Sequence, residues 1–236
     1  MAPDDWLLDF ERGSAGDLHH RSADLAGGEH GRHLRVLEAT EPALVLGSAQ
    51  HLDDVDAAAA RRTGVEVVRR RSGGGAVLVG PGQVLWVDLV IPAGDPLWDN
   101  DVNRAAWWVG DAWAAALDYA GVGPTVVWKS RMRTSRWSSR ICFAGIGPGE
   151  VLVNGQKVVG LSQRRTRHGA LFQTAALLTW DPASLVGLLH LDPADSAAAT
   201  SALAEAARGL GPARADALLD GFQRSVAEYG SIVRRS

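Results

Sequence analysis

The chain has 236 residues, of which 46% are hydrophobic and 22% charged, and its net charge is −3. Those proportions fit one large globular domain, or one domain with a small appendage, and give no case for nucleic acid or an anionic membrane surface. No apolar run reaches the roughly 20 residues of a membrane helix, and a single cysteine, Cys142, excludes an internal disulfide framework.

The acidic start, Met1-Ala2-Pro3-Asp4-Asp5, lacks the basic-then-apolar order of a signal peptide, so a cytoplasmic protein is expected. Residues 1–31 are polar and glycine-rich around one apolar patch, Trp6-Leu7-Leu8, which predicts one strand or helix among loops. Residues 34–38 and 43–46 read as short strands joined through Glu41-Pro42. A helix is predicted over 53–62, with Asp53 and Asp54 at its start, Arg61 and Arg62 at its end, and Gly64 as its stop.

Next comes Arg69-Arg70-Arg71-Ser72-Gly73-Gly74-Gly75-Ala76-Val77, flanked by strand-like stretches over 65–70 and 76–79. Three glycines between strands permit positive φ and let a ligand approach the main chain. Ser72 and the arginines would then face a carboxylate or phosphate; a plain hairpin turn with solvated arginines has equal claim on these residues. Gly80-Pro81-Gly82 marks a second turn, and 84–91 is apolar enough to be a central strand covered on both faces. A long helix is predicted from 102 to 120, with its tryptophans, Trp107, Trp108 and Trp113, as core.

Of 24 basic residues only Lys129 and Lys157 are lysines, which marks both as positions where a compact ammonium is needed or as chance survivors. Residues 128–140 carry Lys129, Arg131, Arg133, Arg136 and Arg140 with no acid, and read as a loop facing a phosphate-bearing ligand, an acidic protein or solvent. Asn154-Gly155 between Val-rich runs predicts a type I′ hairpin with Lys157 on the return strand. A basic stretch over 161–167 leads to His168-Gly169 and a strand from 170 to 178. Three helices are expected over 183–190, 195–208 and 212–229. The Cys/His spacing suits no metal, and no Walker-type phosphate loop is present.

The ordered set Arg69, Arg70, Ser72 to Val77, then Gly155, Lys157, Val158 and Gly160, then Gln163, His168 and Gly169 resembles the lipoate–protein ligase family. That family takes in related octanoyltransferases and the catalytic domain of biotin–protein ligases; Val45-Leu46-Gly47 with Gln50 resembles its earlier strand. The resemblance spans about residues 34 to 180. It implies an α+β fold, a mixed β-sheet with flanking helices of the biotin/lipoate ligase catalytic-domain type, over residues 1–182, with a C-terminal helical extension over 183–236.

The chemistry implied is attachment of lipoate, activated with ATP and Mg2+ as an acyl-adenylate, to a lysine of a lipoyl domain of the 2-oxoacid dehydrogenase or glycine cleavage type. Lys157 would contact the acyl carbonyl or adenylate phosphate and stabilise developing negative charge. Arg70, Ser72, Gly73, Gly74, Gly75, Ala76, Gln50 and Gly160 would bind the acyl substrate, His168 and Gly169 would line the mouth of the acyl tunnel, and Lys129 and Gln83 would bind nucleotide.

Three departures open alternatives. Residues 78–83, Leu-Val-Gly-Pro-Gly-Gln, stand where many members have aromatic-His-Asp-x-Gly-Asn. The segment after 182 lacks the β-containing accessory unit of many ligases. Cys142 precedes the Lys157 hairpin, as the nucleophilic cysteine does in one octanoyltransferase group, which takes octanoyl from acyl carrier protein through a thioester with no ATP. The ligase ranks first, the Cys142 transferase second and a non-catalytic acyl-binding protein third. Biotin transfer ranks lower because no Gly-Arg-Gly-Arg pattern is present.

Overall fold

The structure, a computed structural model, describes residues 4–27 and 31–234. The first three residues of the acidic start lie outside them. Strand β1 (Trp6–Gly13) leads into helix α1 (Ala15–Leu25), which Ser14 caps by accepting from the Asp17 amide. Strands β2 (Arg32–Ala39) and β3 (Ala43–Leu46), helix α2 (Ala57–Thr63) and strands β4 (Glu66–Arg69), β5 (Val77–Val79) and β6 (Val84–Pro92) follow. Helix α3 (Trp107–Tyr119) and strands β7 (Thr125–Val127), β8 (Val151–Val153), β9 (Gln156–Arg165) and β10 (Gly169–Leu177) make up the middle of the chain. Helices α4 (Pro182–Val186), α5 (Pro193–Ala206) and α6 (Ala215–Val226) and strand β11 (Ile232–Arg234) complete it.

Eight strands form one mixed sheet in the order β11-β1-β2-β6-β10-β9-β8-β7, and three form a second in the order β4-β3-β5. The expected α+β architecture is therefore present, with β6 in the middle of the large sheet and seven of its nine residues buried. One face of that sheet is covered by α3 and α6, where Trp113 and Phe222 stack at 4.3 Å between ring centres. Burying aromatic and aliphatic side chains of this size contributes about 1.5–3 kcal/mol each, which anchors the chain's C-terminal third to the sheet. The other face carries α1 and the small sheet, and between these layers lies the site.

Several sequence expectations change. Residues 1–31 hold both a strand and a capped helix, because alternate residues of β1 pack inward although the helix is polar on its outer side. Helix α2 starts at Ala57, since Asp56, not Asp53 or Asp54, accepts from the Ala58 and Ala59 amides; residues 52–54 form a single 3-10 turn. Likewise α3 begins at Trp107 after a 3-10 turn at 104–106. The basic stretch at 161–165 is the outer half of β9, and β7 and β11 were not legible as strands because each is three residues long. Asn154 and Gly155 take φ of 52° and 81°, the positive values a type I′ turn needs. Among the described residues no helix is long and apolar enough to cross a membrane.

Candidate active site

The glycine-rich segment is not a hairpin. Strands β4 and β5 flank β3 on opposite sides, so residues 70–76 cross over the end of β3. The crossing is tight: a Cβ on Gly47 would overlap the carbonyl oxygen of Gly74, whose own φ is 100°. Arg70 is the post around which the segment winds. Its guanidinium is buried and donates to the carbonyls of Gly73 at 2.8 Å, Gly75 at 3.0 Å and Val45 at 3.3 Å. Arg69 and Arg71 stand outside, and Arg71 pairs with Asp24 on α1.

The end of this segment is stapled to Cys142. The Ala76 amide donates to Arg140 at 2.8 Å, and the Cys142 amide donates to the Ala76 carbonyl at 2.9 Å. A Cβ on Gly75 would lie 2.7 Å from the Cys142 nitrogen, so only glycine permits this approach. Gln50 braces the same junction from behind, accepting from the Gly47 amide and donating to the Arg140 carbonyl. Cys142 opens a 3-10 turn, Cys142–Ala144, rather than lying in a strand, and is half-buried. Gly74 lies between Arg70 and the thiol: a Cβ there would fall 2.8 Å from the guanidinium and 4.0 Å from Sγ. Burial pulls the Arg70 guanidinium below its usual range, and its interaction with Cys142 opposes that.

Lys157 is fully buried, and protein groups meet its three protons. Nζ donates to the carbonyls of Cys142 at 3.0 Å and Gly145 at 3.1 Å, and lies 2.7 Å from a carboxylate oxygen of Glu150. Glu150, also buried, accepts in addition from the amides of Gly147 and Leu161. The ammonium thus clamps both ends of the Cys142 turn and sits 4.7 Å above the Phe143 ring. The expectation that it directly contacts an acyl carbonyl or phosphate changes accordingly: in this state its protons are committed to the turn that carries the thiol.

Two cavities meet at Cys142. The first, of about 40 Å³, is mostly apolar and runs past Phe143 and Gly160 to Val77, Val79, Trp86 and Ala175. Gly160 is required here, since a Cβ would lie 2.9 Å from the Phe143 ring. The second, of about 240 Å³, mixes apolar groups, Val102, Ala106, Met132 and Leu161, with more polar ones than the first, Asn103, Ser138, Glu150, Lys157 and Gln163, beside Gly73 to Gly75. Ser72 stands behind the first cavity, donating to Gln173 at 2.7 Å.

Other sequence candidates lie elsewhere. His168 and Gly169 line neither cavity; Gly169 is fixed by the approach of the Ile91 carbonyl at the start of β10. Lys129 is half-exposed and pairs with Asp111 at 2.8 Å, and Gln83 lies in the turn before β6, its carbonyl accepting from Leu178 and Thr179. Neither reaches the cavities at Cys142. The residues that sequence reasoning missed are His19, Trp86, Glu150 and Gln173. Glu150 alone carried a signal, as the one acid in the basic and apolar stretch between the 128–140 loop and the Lys157 hairpin.

Comparison with known proteins gives a consistent result. The family model of the lipoyl protein ligase A/B catalytic domain matches residues 18–213. Octanoyltransferase LipM of Clostridioides difficile (strain 630) is 28% identical over 140 residues, covering 58% of this chain and 51% of that protein. The chain thus spans about half the length of the curated relative it matches. A bi-partite lipoate protein ligase of Thermoplasma acidophilum, solved in a study with its E2 lipoyl domain, superposes with a TM-score of 0.73 and 17% identity over 98% of this chain and 86% of its own. Lipoate-protein ligase A bound with ATP gives 0.70 and 16%, over 98% and 90%. At such identities the likeness is one of fold.

Proposed function

Since the chain belongs to the lipoyl protein ligase A/B catalytic-domain family, a family of enzymes, we propose that it transfers an octanoyl-type acyl group through a thioester on Cys142. The donor is an acyl thioester such as acyl carrier protein presents, and the acceptor is a lysine amine of a lipoyl domain. One observation carries this reading: the only cysteine of the chain lies where a narrow apolar cavity meets a wider one of mixed lining, beside a buried guanidinium. The thiolate is the reactive form of a cysteine side chain.

In the first half-reaction the Cys142 thiolate attacks the donor's carbonyl carbon with the acyl chain in the first cavity. A carbon–sulfur bond forms at Cys142, the tetrahedral oxyanion collapses, and the carrier leaves as its thiolate. In the second, the neutral acceptor amine enters through the wider cavity and attacks the same carbon. A carbon–nitrogen bond forms, the bond to Cys142 breaks, and the amine's surplus proton passes to the departing thiolate or to water. Lys157 serves by holding the carbonyls of Cys142 and Gly145, which fixes the thiol's direction, and by placing positive charge near the oxyanion.

The adenylate route has less support. The residues at the second cavity do not fit a magnesium nucleotide. Its one carboxylate among the described residues, Glu150, is already held by Lys157 and two amides, and Lys129 and Gln83 lie away from it. No step is derived through ATP. The test offers the purified protein and an apo lipoyl domain either octanoyl-acyl carrier protein or octanoate with MgATP. Modification from the carrier donor alone is expected, and modification that requires ATP would overturn the reading.

A further inference from the structure

The pocket proposed for the acyl chain has a polar side that hydrocarbon does not need. Strand register sets two rows across one face of the large sheet. Leu37, Trp86, Ala175 and Gly160 form the apolar row, and Arg35, Asp88, Gln173 and Ser162 form a polar row beside it. His19, from α1, lies over the two rows with its ring 4.4 Å from that of Trp86. It is 9% exposed, and what remains exposed lines the first cavity.

The hydrogen bonds around His19 define which ring nitrogen carries the proton. Gln173 accepts from Ser72 through its oxygen, while its nitrogen lies 3.2 Å from Asp88 and 2.8 Å from His19 Nδ1. His19 Nδ1 is therefore the acceptor, and in the neutral ring Nε2 carries the hydrogen. Burial first and the Arg70 charge second hold the imidazole at a pKa of about 3, so it stays neutral at physiological pH. Among the described residues Nε2 has no hydrogen-bond partner. The exposed part of the ring opens on the first cavity, and nothing in the proposed thioester chemistry uses this donor.

We propose that the His19 Nε2–H is a specificity-determining group that accepts acyl chains bearing a hydrogen-bond acceptor, such as an oxo oxygen, in preference to plain hydrocarbon. The inference rests on the thioester reading for the reaction but concerns only the chain that fills the pocket. Trp86 beside the imidazole fixes the ring and closes the apolar side, so an acceptor at one depth along the chain is read and others are not.

The experiment loads the wild-type protein with equal amounts of octanoyl and of 5-, 6- or 7-oxo-octanoyl acyl carrier thioesters, and compares rates of Cys142 acylation by intact-protein mass spectrometry. One oxo position should load about tenfold faster than octanoyl, the scale of one hydrogen bond. His19→Phe should abolish that preference, read as the ratio of oxo-octanoyl to octanoyl loading rates within the variant. Equal loading of every chain by the wild-type protein, with water answering the donor, would overturn the inference whether or not the variant folds. If no donor acylates Cys142, the thioester reading fails. Titration calorimetry with the free oxo-octanoic and octanoic acids then still decides the pocket: tighter binding of one oxo acid supports it and equal binding overturns it.

Discussion

The two cavities that share Cys142 differ in size and lining. The inner one is narrow and mostly apolar, walled by side chains from both sheets and α1; the outer one is about six times larger and lined by glycines, a buried ion pair and a mixture of apolar and polar side chains. A narrow apolar slot selects by chain shape and burial, whereas the wider opening of mixed lining is the one that, in the proposed reaction, would admit the acceptor lysine. The difference teaches why the cysteine is held so firmly. A group that must face both cavities in turn gains from a turn fixed at both ends, and the Lys157 ammonium and the Ala76 carbonyl supply that fixation.

That comparison can be broken at its hinge. Cys142→Ala should remove acyl-enzyme formation and lower carrier-dependent transfer by on the order of a thousandfold or more, read in single-turnover assays. Transfer persisting at near-normal rate would disconnect the two cavities from the chemistry. Lys157→Arg should cost about a hundredfold in transfer, because a planar fork does not reproduce three convergent bonds to Cys142, Gly145 and Glu150. The loss should fall on the acylation rate with donor KM little changed. A change confined to KM would mean that Lys157 binds the donor and does not position the thiol.

Trp86→Ala should lengthen the inner cavity alone. Donors two or four carbons longer than octanoyl should then load Cys142 about tenfold faster than they load the wild-type protein, with the acceptor KM unmoved. An altered acceptor KM would show that the cavities are not separate functions.

The smallest effect concerns pH. His19 takes its proton near 6.5 when unfolded and at about 3 when folded. The unfolded chain therefore binds more protons between those values, so the contribution of His19 is complete above about 6.5 and is lost as pH falls toward 3. Asp88, whose carboxyl is pushed up by burial, works with the opposite sign. The His19→Phe variant should lose less stability than the wild type as pH falls through that window, seen as a flatter plot of Tm against pH. Parallel plots would show that His19 is not buried as a neutral ring.

How much of this was legible depended on how local each signal was. The Asn154-Gly155 turn, β3 and the central strand β6 are set by adjacent residues and were readable. The glycine segment was readable as a close approach of backbone, while the plain hairpin that had equal claim on it is replaced by a crossing. Its crossing of β3 was not readable, since it depends on β4 and β5 pairing with a strand more than twenty residues earlier in the chain. His19 and Gln173 are 154 residues apart and meet only across layers. His168 and Lys129 were over-read because motif position and rarity say nothing of direction: one side chain meets Arg167 and the other Asp111.

The central claim is that acyl transfer passes through Cys142, and one measurement tests it most directly. The protein is mixed with octanoyl-acyl carrier protein without ATP or acceptor, quenched in acid, and its intact mass and peptide map are read. The account predicts one octanoyl group in thioester linkage on Cys142, discharged to the lipoyl domain when that is added. An unmodified Cys142 in a preparation that still lipoylates the acceptor would contradict it.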